Sequence, residues 1–173
     1  MTEEEFELTY LVSALPVGVT TSTMKEIIDI YLPSNVAHPK LRIRKSGDHY
    51  TITKKVPVQE GDASHQVEHT IKITADEFNE LALIPGKRVS KKRYFYTEGG
   101  VEYQVDVFQD ALAGLALADV EFTSRAALDA FSAPNWFLAD VTQEDFIAGG
   151  MLCGKRYEDI APELARFNYQ KVG

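Results

Sequence analysis

The sequence has 173 residues, of which 45% are hydrophobic and 25% charged, and its formal net charge is −8 at pH 7. This length and balance are typical of a single globular domain, expected over residues 1–173, and they exclude extended disorder. The acidic charge also argues against duplex nucleic acid as a partner, because neutralising backbone phosphates requires a basic surface.

Alternation of polar and apolar residues with a period of two recurs along the chain and predicts half-buried β-strands. The alternating segments are residues 5–8, 41–44, 66–73, 101–107 and 116–122. Two short turns, Ser46-Gly47-Asp48 and Glu98-Gly99-Gly100, predict hairpins between neighbouring strands. Altogether the sequence predicts about eight strands.

Helical patterns are fewer, and each begins near a capping residue. The predicted helices begin at Thr74-Ala75-Asp76-Glu77 and end by Pro85-Gly86, begin near Thr123-Ser124 and end near Pro134, and cover residues 143–153 and 155–167. Thr142 is the candidate cap for the helix over 143–153. Strands with helices between and after them predict an antiparallel α+β architecture.

The lengths of the apolar runs and the first residues of the sequence bear on where the protein is located. No apolar run approaches the roughly 20 residues that a membrane helix needs, so no membrane partner is expected. The acidic start Met1-Thr2-Glu3-Glu4-Glu5 is unlike a signal peptide, and this difference favours a cytoplasmic location.

The sequence has a single cysteine, Cys153. An internal disulfide, a cysteine zinc site and a redox pair are therefore excluded, and we expect Cys153 to be a small buried hydrophobe.

The polar positions of several strands carry charge doublets at i and i+2, which project from one face of a strand. These doublets are Glu5 and Glu7, Arg42 and Arg44, Lys91 and Arg93, and Asp119 and Glu121. In an open antiparallel sheet they would face water. If the strands close into a barrel, they would instead line its lumen, where carboxylates suit a hard divalent cation and basic side chains suit phosphate.

The order of these segments resembles the CYTH superfamily, also called triphosphate tunnel metalloenzymes. The first strand, Glu5-Phe6-Glu7-Leu8-Thr9, is similar to the N-terminal Glu-x-Glu-x-Lys strand of that family. The later segments that carry the resemblance are Leu41–Arg44, Tyr50–Lys55, Lys91–Tyr94, Tyr103–Phe108, Leu112–Leu115, Ala118–Phe122, Trp136 and Asp140–Thr142. They follow one another in family order over roughly residues 5–153.

The resemblance implies a closed eight-stranded antiparallel β-barrel, a tunnel with peripheral helices. It also implies metal-dependent hydrolysis of a triphosphate-containing small molecule, either inorganic tripolyphosphate or a nucleoside or thiamine triphosphate, with Mg²⁺ or Mn²⁺. The implied metal ligands are Glu5, Glu7, Asp119 and Glu121, and the implied phosphate-binding residues are Arg42, Arg44, Lys55, Lys91 and Arg93. Lys54 replaces Lys55 if the strand register differs by one residue.

The sequence departs from the family pattern at several positions. Thr9 stands where the family has a lysine, Thr70 stands where a second glutamate follows Glu68, and the segment 144–148 lacks the family's Arg-Tyr and following Asn. These departures keep open a second hypothesis, a phosphate- or nucleotide-binding module with weakened or absent catalysis. Adenylate cyclase is a third and weaker hypothesis.

Overall fold

The computed structural model describes residues 2–172, with the backbone only at residue 3, and residues 1 and 173 of the predicted domain lie outside this range. The strands are β1 (Thr2–Val12), β2 (Thr23–Leu32), β3 (Leu41–Ser46), β4 (His49–Pro57), β5 (His65–Ile73), β6 (Lys87–Glu98), β7 (Val101–Phe108), β8 (Ala116–Phe122) and β9 (Phe137–Asp140). The helices are α1 (Ala75–Leu81), α2 (Arg125–Asp129), α3 (Gly149–Leu152) and α4 (Tyr157–Ala165). Single turns of 3₁₀ helix lie at Val19–Thr21, Asp110–Leu112 and Asp145–Ile147.

The first eight strands close into an antiparallel barrel in the order β1-β5-β4-β3-β2-β6-β7-β8, and β8 pairs back onto β1. Strand β1 closes the barrel because its first residues pair with β5 on one edge while residues 6–11 pair with β8 on the other. On the edge of β1 that pairs with β5, but further along the strand, residues 10–12 pair with the short strand β9. The predicted closed eight-stranded barrel is therefore confirmed, and β9 is an addition that the alternation did not reveal.

The two faces of the barrel wall differ in chemistry. On the outside, Phe78 of α1 packs with Ile30 and Ile43 of β2 and β3. A larger apolar cluster joins the outer faces of β7 and β8 to Ile160 and Leu164 of α4. Because side chains alternate between the two faces of a strand, covering the apolar face with helices directs the polar residues into the lumen.

Three of the predicted helices are present. Helix α1 begins with a capping box, in which the Thr74 hydroxyl accepts from the Glu77 N–H and the Glu77 carboxylate accepts from the Thr74 N–H. The Ser124 hydroxyl caps α2. Helix α4 lies within the predicted residues 155–167. No helix in the described part of the chain is long and apolar enough to cross a bilayer.

The prediction of one helix over residues 143–153 is wrong. This segment is a 3₁₀ turn and the short helix α3, separated by extended backbone at Ala148. Thr142 does not cap it, because its hydroxyl accepts from the Thr9 N–H at 3.0 Å and donates to the Asp140 carboxylate at 2.6 Å. Packing against β1 and the barrel end thus overrides the local helical pattern.

Cys153 is buried directly after α3, as expected for a small hydrophobe. Its thiol donates to the carbonyl oxygen of Gly150 at 3.0 Å. Burial raises the pKa of the thiol to about 11, so the reactive thiolate is scarce at neutral pH.

Candidate active site

The lumen of the barrel holds a cavity of about 610 Å³ with a charged wall. Each charge doublet predicted from the sequence lies on this wall, and so does Lys55. The predicted residues that the barrel brings together are Glu5, Glu7, Arg42, Arg44, Lys55, Lys91, Arg93, Asp119 and Glu121. The solvent-facing alternative for the doublets is therefore wrong, because closure of the barrel turns their face inward.

One side of the wall is basic and is organised around a buried aspartate on β2. Strand β2 lies between β3 and β6, which carry the arginine and lysine doublets. Arg44 donates to both carboxylate oxygens of Asp29, from Nε at 2.6 Å and from Nη2 at 2.7 Å. Burial by itself would raise the pKa of Asp29, but the charge and hydrogen bonds of Arg44 outweigh it and hold the pKa well below its usual range.

A second buried aspartate, Asp106 on β7, holds the β6 doublet. Arg93 donates to it from Nε at 2.7 Å and from Nη2 at 2.6 Å, and the Lys91 ammonium forms a further ion pair with it. Burial opposes ionisation, but these two cations lower the pKa of Asp106 to about 2. Asp29 and Asp106 therefore keep neighbouring cations close together in a lumen with little solvent.

The opposite side of the wall is acidic. Glu7 on β1 faces Glu121 on β8, and Thr9 faces Asp119 one step further along. The Thr9 hydroxyl donates to Asp119 at 2.9 Å, and Arg93 donates to the other oxygen of Asp119 at 2.9 Å. Burial and then the charge of Glu7 raise the pKa of Asp119 to about 6.

Lys55 on β4 extends into this acidic side. Its ammonium nitrogen lies 2.5 Å from Glu5, 3.7 Å from Glu68 and 3.9 Å from Glu7. The neighbouring Lys54 is exposed on the outer face of the barrel. The register of β4 thus places Lys55, and not Lys54, in the lumen.

Thr70 lies beside Glu68 on β5, at the position where the sequence lacks a second glutamate. Its hydroxyl and the Glu68 carboxylate are 2.5 Å apart, and its oxygen is 2.9 Å from the Thr53 hydroxyl. Burial opposes ionisation of Glu68, but the hydrogen bond from Thr70 and the charge of Lys55 lower its pKa. The threonine therefore supports an ionised carboxylate without adding another negative charge.

Sequence reasoning missed Asp29 and Asp106 as parts of this wall. The sequence did contain a signal for Asp106. Gln104 and Asp106 are two residues apart in an alternating strand, the same spacing as the charge doublets, so both were expected on one face of that strand. Asp29 gave a weaker signal, a single carboxylate between Ile28 and Ile30. Neither position reveals its partner, because that partner lies on a neighbouring strand.

Apolar side chains replace charged ones toward one end of the cavity. Those shared by the cavity lining and the main apolar cluster are Tyr31, Val89, Phe108, Leu117, Ile147 and Leu152. The segment 145–152 packs here, and Gly149 lies so close to the Tyr31 hydroxyl that a Cβ atom would collide with it. This packing places apolar side chains at that end of the cavity.

The acidic side has the donor chemistry for a hard divalent cation, because carboxylate oxygens are the ligands that Mg²⁺ and similar ions prefer. Among the described residues, no three Asp, Glu, His or Cys side chains converge on one point as metal ligands. Three of the lumen carboxylates, Glu5, Glu7 and Glu68, are instead arranged around the Lys55 ammonium. The carboxylate oxygens match the ligand preference of such an ion, although the described side chains form no three-ligand cluster.

Comparison with known proteins identifies the family. A model of the CYTH domain matches residues 2–140. The chain belongs to the CYTH family. A CYTH relative from Nitrosomonas europaea, an inorganic triphosphatase, is 34% identical over 163 residues, which span 93% of this chain and 97% of the relative.

Two solved structures show how this CYTH chain compares in three dimensions. The crystal structure of an inorganic triphosphatase superposes with a TM-score of 0.62 at 29% identity and covers 86% of this chain and 93% of its own. A putative adenylate cyclase from Bacillus halodurans superposes with a TM-score of 0.57 at 16% identity and covers 99% of this chain and 94% of its own. The second likeness concerns the fold alone.

Proposed function

We propose that this protein hydrolyses inorganic tripolyphosphate or a closely related triphosphate inside the barrel, with Mg²⁺ or Mn²⁺. The observation that carries the proposal is a cavity in the lumen whose wall has a basic side and an acidic side. Membership of the CYTH family and the likeness to an inorganic triphosphatase support the same activity. The net reaction adds one water across a phosphoanhydride bond, which converts tripolyphosphate into orthophosphate and pyrophosphate, or a related triphosphate into orthophosphate and its diphosphate.

The basic side binds the phosphate chain in this proposal. Arginine and lysine suit phosphate oxygens because charge-assisted hydrogen bonds are short and strong in a site with little water. The proposed phosphate-binding residues are Arg42, Arg44, Lys55, Lys91 and Arg93. The shortest ion pair of Arg42 is 3.8 Å, to Glu68, whereas each of the other four residues has one of 2.6 Å or less, so the Arg42 guanidinium is the most available to an incoming phosphate.

The acidic side holds the divalent cation through Glu5, Glu7, Asp119 and Glu121 in this proposal. When bound, such a cation offsets the negative charge of the phosphates and lowers the pKa of bound water. Asp29 and Asp106 keep the arginines oriented toward the lumen. The apolar end of the cavity excludes water from one end of the phosphate chain.

The deciding experiment measures orthophosphate release from tripolyphosphate, pyrophosphate, ATP and thiamine triphosphate with Mg²⁺, Mn²⁺ or EDTA. We expect release from at least one triphosphate, with tripolyphosphate the best substrate, and none in EDTA. Glu7→Gln should need more metal for the same rate, because it removes a negative charge from the acidic side. Glu4→Gln, an exposed change on the same strand, is the matched control.

Two outcomes would contradict the proposal. If no substrate releases phosphate under any condition but tripolyphosphate still raises the melting temperature, the protein is a binding module, as Thr9 and Thr70 suggested. If neither turnover nor stabilisation is observed, the charged lumen is not a triphosphate site. Equal metal dependence of Glu7→Gln and Glu4→Gln would remove Glu7 from the metal site.

A further inference from the structure

Lys55 differs from the other cations proposed to bind phosphate because its ion pairs in the described structure involve neither Asp29 nor Asp106. Its ammonium lies among Glu5, Glu7 and Glu68, on the acidic side of the lumen. Two of these three carboxylates, Glu5 and Glu7, belong to the set proposed to hold the metal. The side chain proposed to bind phosphate therefore contacts residues proposed to bind the cation.

The arrangement of the acidic strands explains why a cation is needed there. Glu7 faces Glu121 directly across the β1–β8 pair, and like charges at such positions repel each other. Glu5 and Glu68 add further negative charge at the edge formed by β5. Without a cation between them, the half-buried carboxylates of Glu5, Glu7 and Glu68 would repel one another, and burial strengthens such repulsion because it lowers the local dielectric constant.

Each of the other wall cations pairs with Asp29 or Asp106, although Arg42 also lies 3.8 Å from Glu68. Arg44 donates two hydrogen bonds to Asp29, and Lys91 and Arg93 form ion pairs with Asp106. Those aspartates lie outside the proposed metal set. Arg93 also contacts Asp119, but its two hydrogen bonds to Asp106 fix its guanidinium independently.

The chemistry of lysine suits a cation that exchanges partners. The lysine ammonium is a compact charge on a flexible four-carbon stem, and it can bind partners from several directions. An arginine guanidinium that donates two hydrogen bonds to one carboxylate is held in a single orientation. The Lys55 side chain is 26% exposed, so its aliphatic chain has space to move. The three carboxylates within 3.9 Å of the Lys55 nitrogen compensate the charge of the ammonium.

We propose that the Lys55 ammonium is a tethered counter-cation that occupies the acidic side of the lumen before metal binds and is displaced by the divalent metal. The displaced ammonium then binds the triphosphate, so one side chain couples the two ligands. This inference rests on the proposed function. It predicts that metal and triphosphate each bind more tightly when the other is present, by a coupling that requires Lys55.

Lys55→Gln tests this inference, with Lys54→Gln as the matched control on the same strand. Isothermal titration with Mn²⁺ in the absence of any phosphate measures metal affinity. We expect Lys55→Gln to bind Mn²⁺ on the order of tenfold more tightly than the parent, because a competing positive charge is removed. Lys54→Gln, whose side chain lies on the outer face, should match the parent.

A second titration, with a non-hydrolysable imido analogue of tripolyphosphate at saturating Mn²⁺, should show the opposite effect. Lys55→Gln should bind this analogue on the order of tenfold more weakly, because a charge-assisted contact is lost. Lys55→Arg keeps the positive charge, so its Mn²⁺ affinity should be close to that of the parent and lower than that of Lys55→Gln. If the glutamine variant fails to fold, Lys55→Met replaces it, because methionine fills similar space without charge.

The outcomes separate this inference from the proposed function. If Lys55→Gln binds Mn²⁺ no more tightly than Lys54→Gln while the parent still hydrolyses tripolyphosphate, the counter-cation role is wrong and the activity stands. If Lys55→Gln gains Mn²⁺ affinity but the parent hydrolyses no triphosphate, the exchange of cations stands and the activity is wrong. Loss of affinity for both ligands in a folded Lys55→Gln protein would show a merely structural role and overturn the inference.

Discussion

Asp29 illustrates how a single buried carboxylate stabilises a basic lumen. It is only 2% exposed, and both of its oxygens accept hydrogen bonds from Arg44. The charges of Arg42 and Lys91 are also close enough to lower its pKa. Removing one partner of a buried ion pair is costly, because the remaining charge is left without compensation.

We therefore expect Asp29→Asn to lower the free energy of unfolding at pH 7 by about 3 kcal/mol. Because the pKa of Asp29 is lower in the folded than in the unfolded protein, its stabilising effect is present above the unfolded pKa of about 3.9. This effect is lost as the pH falls toward the folded pKa. The difference between parent and variant should accordingly narrow below about pH 4, as measured by urea denaturation at stepwise lower pH.

Asp129→Asn is the control for this prediction. Asp129 pairs with Arg125 at 3.0 Å on the surface of α2, and its side chain is 58% exposed. An exposed pair of this kind contributes little, so the variant should differ from the parent by less than about 0.5 kcal/mol. Equal stability of the two variants at pH 7 would show that the basic side does not need Asp29 as a counter-ion.

The segment 145–152 shows how tertiary contacts decide a local structure. Its sequence has the spacing of a helix, yet Ala148 is extended and two glycines follow it. A Cβ atom on Gly150 would collide with the carbonyl oxygen of Pro39 and with the ring of His38. The segment can approach the barrel end this closely only because these positions lack side chains.

Gly150→Ala should therefore displace α3 from the barrel end. We expect a loss of about 1–3 kcal/mol in the free energy of unfolding, typical of an added methyl group in a close-packed region. The amides of Met151 and Leu152, which donate to the Ala148 carbonyl, should exchange with deuterium faster than in the parent. Unchanged stability and unchanged exchange would mean that the close approach is not needed.

Closure of the barrel makes the described chain one connected unit. Strand β1 is first in the sequence, yet it pairs with β5, β8 and β9. The C-terminal residues also return to the barrel, since the Val172 N–H donates to the Gly114 carbonyl and the Tyr169 hydroxyl accepts from the Ala116 N–H. We propose on this basis that the chain folds as a single domain.

A single domain should unfold in one cooperative transition. Trp136, the one tryptophan in the sequence, packs against Tyr103 and Phe137 and reports on the side-chain packing around it by fluorescence. Far-ultraviolet circular dichroism reports on the strands throughout the barrel. We expect the two signals to give the same urea midpoint, and two separated midpoints would contradict the single-domain proposal.

Much of the fold was predictable because it depends on near neighbours in the sequence. Alternation at i and i+2 identified β1, β3, β5, β7 and β8, and the two turn signals added β4 and β6, whereas β2 and β9 lie in segments where no strand was predicted. The same i and i+2 spacing placed each charge doublet on one face of its strand. The capping box of α1 depends only on Thr74 and Glu77, three residues apart. The family resemblance then supplied closure of the barrel, which alternation by itself left open.

The tertiary structure alone decided which charges meet. Arg44 pairs with Asp29, and Lys55 lies among Glu5, Glu7 and Glu68, because the order and register of the closed strands bring these residues together. No local pattern encodes such pairs, since each partner comes from a different strand. The sequence therefore determined that the lumen would be charged, whereas only the closed barrel determined how those charges compensate one another, because ion pairing depends on distances in space.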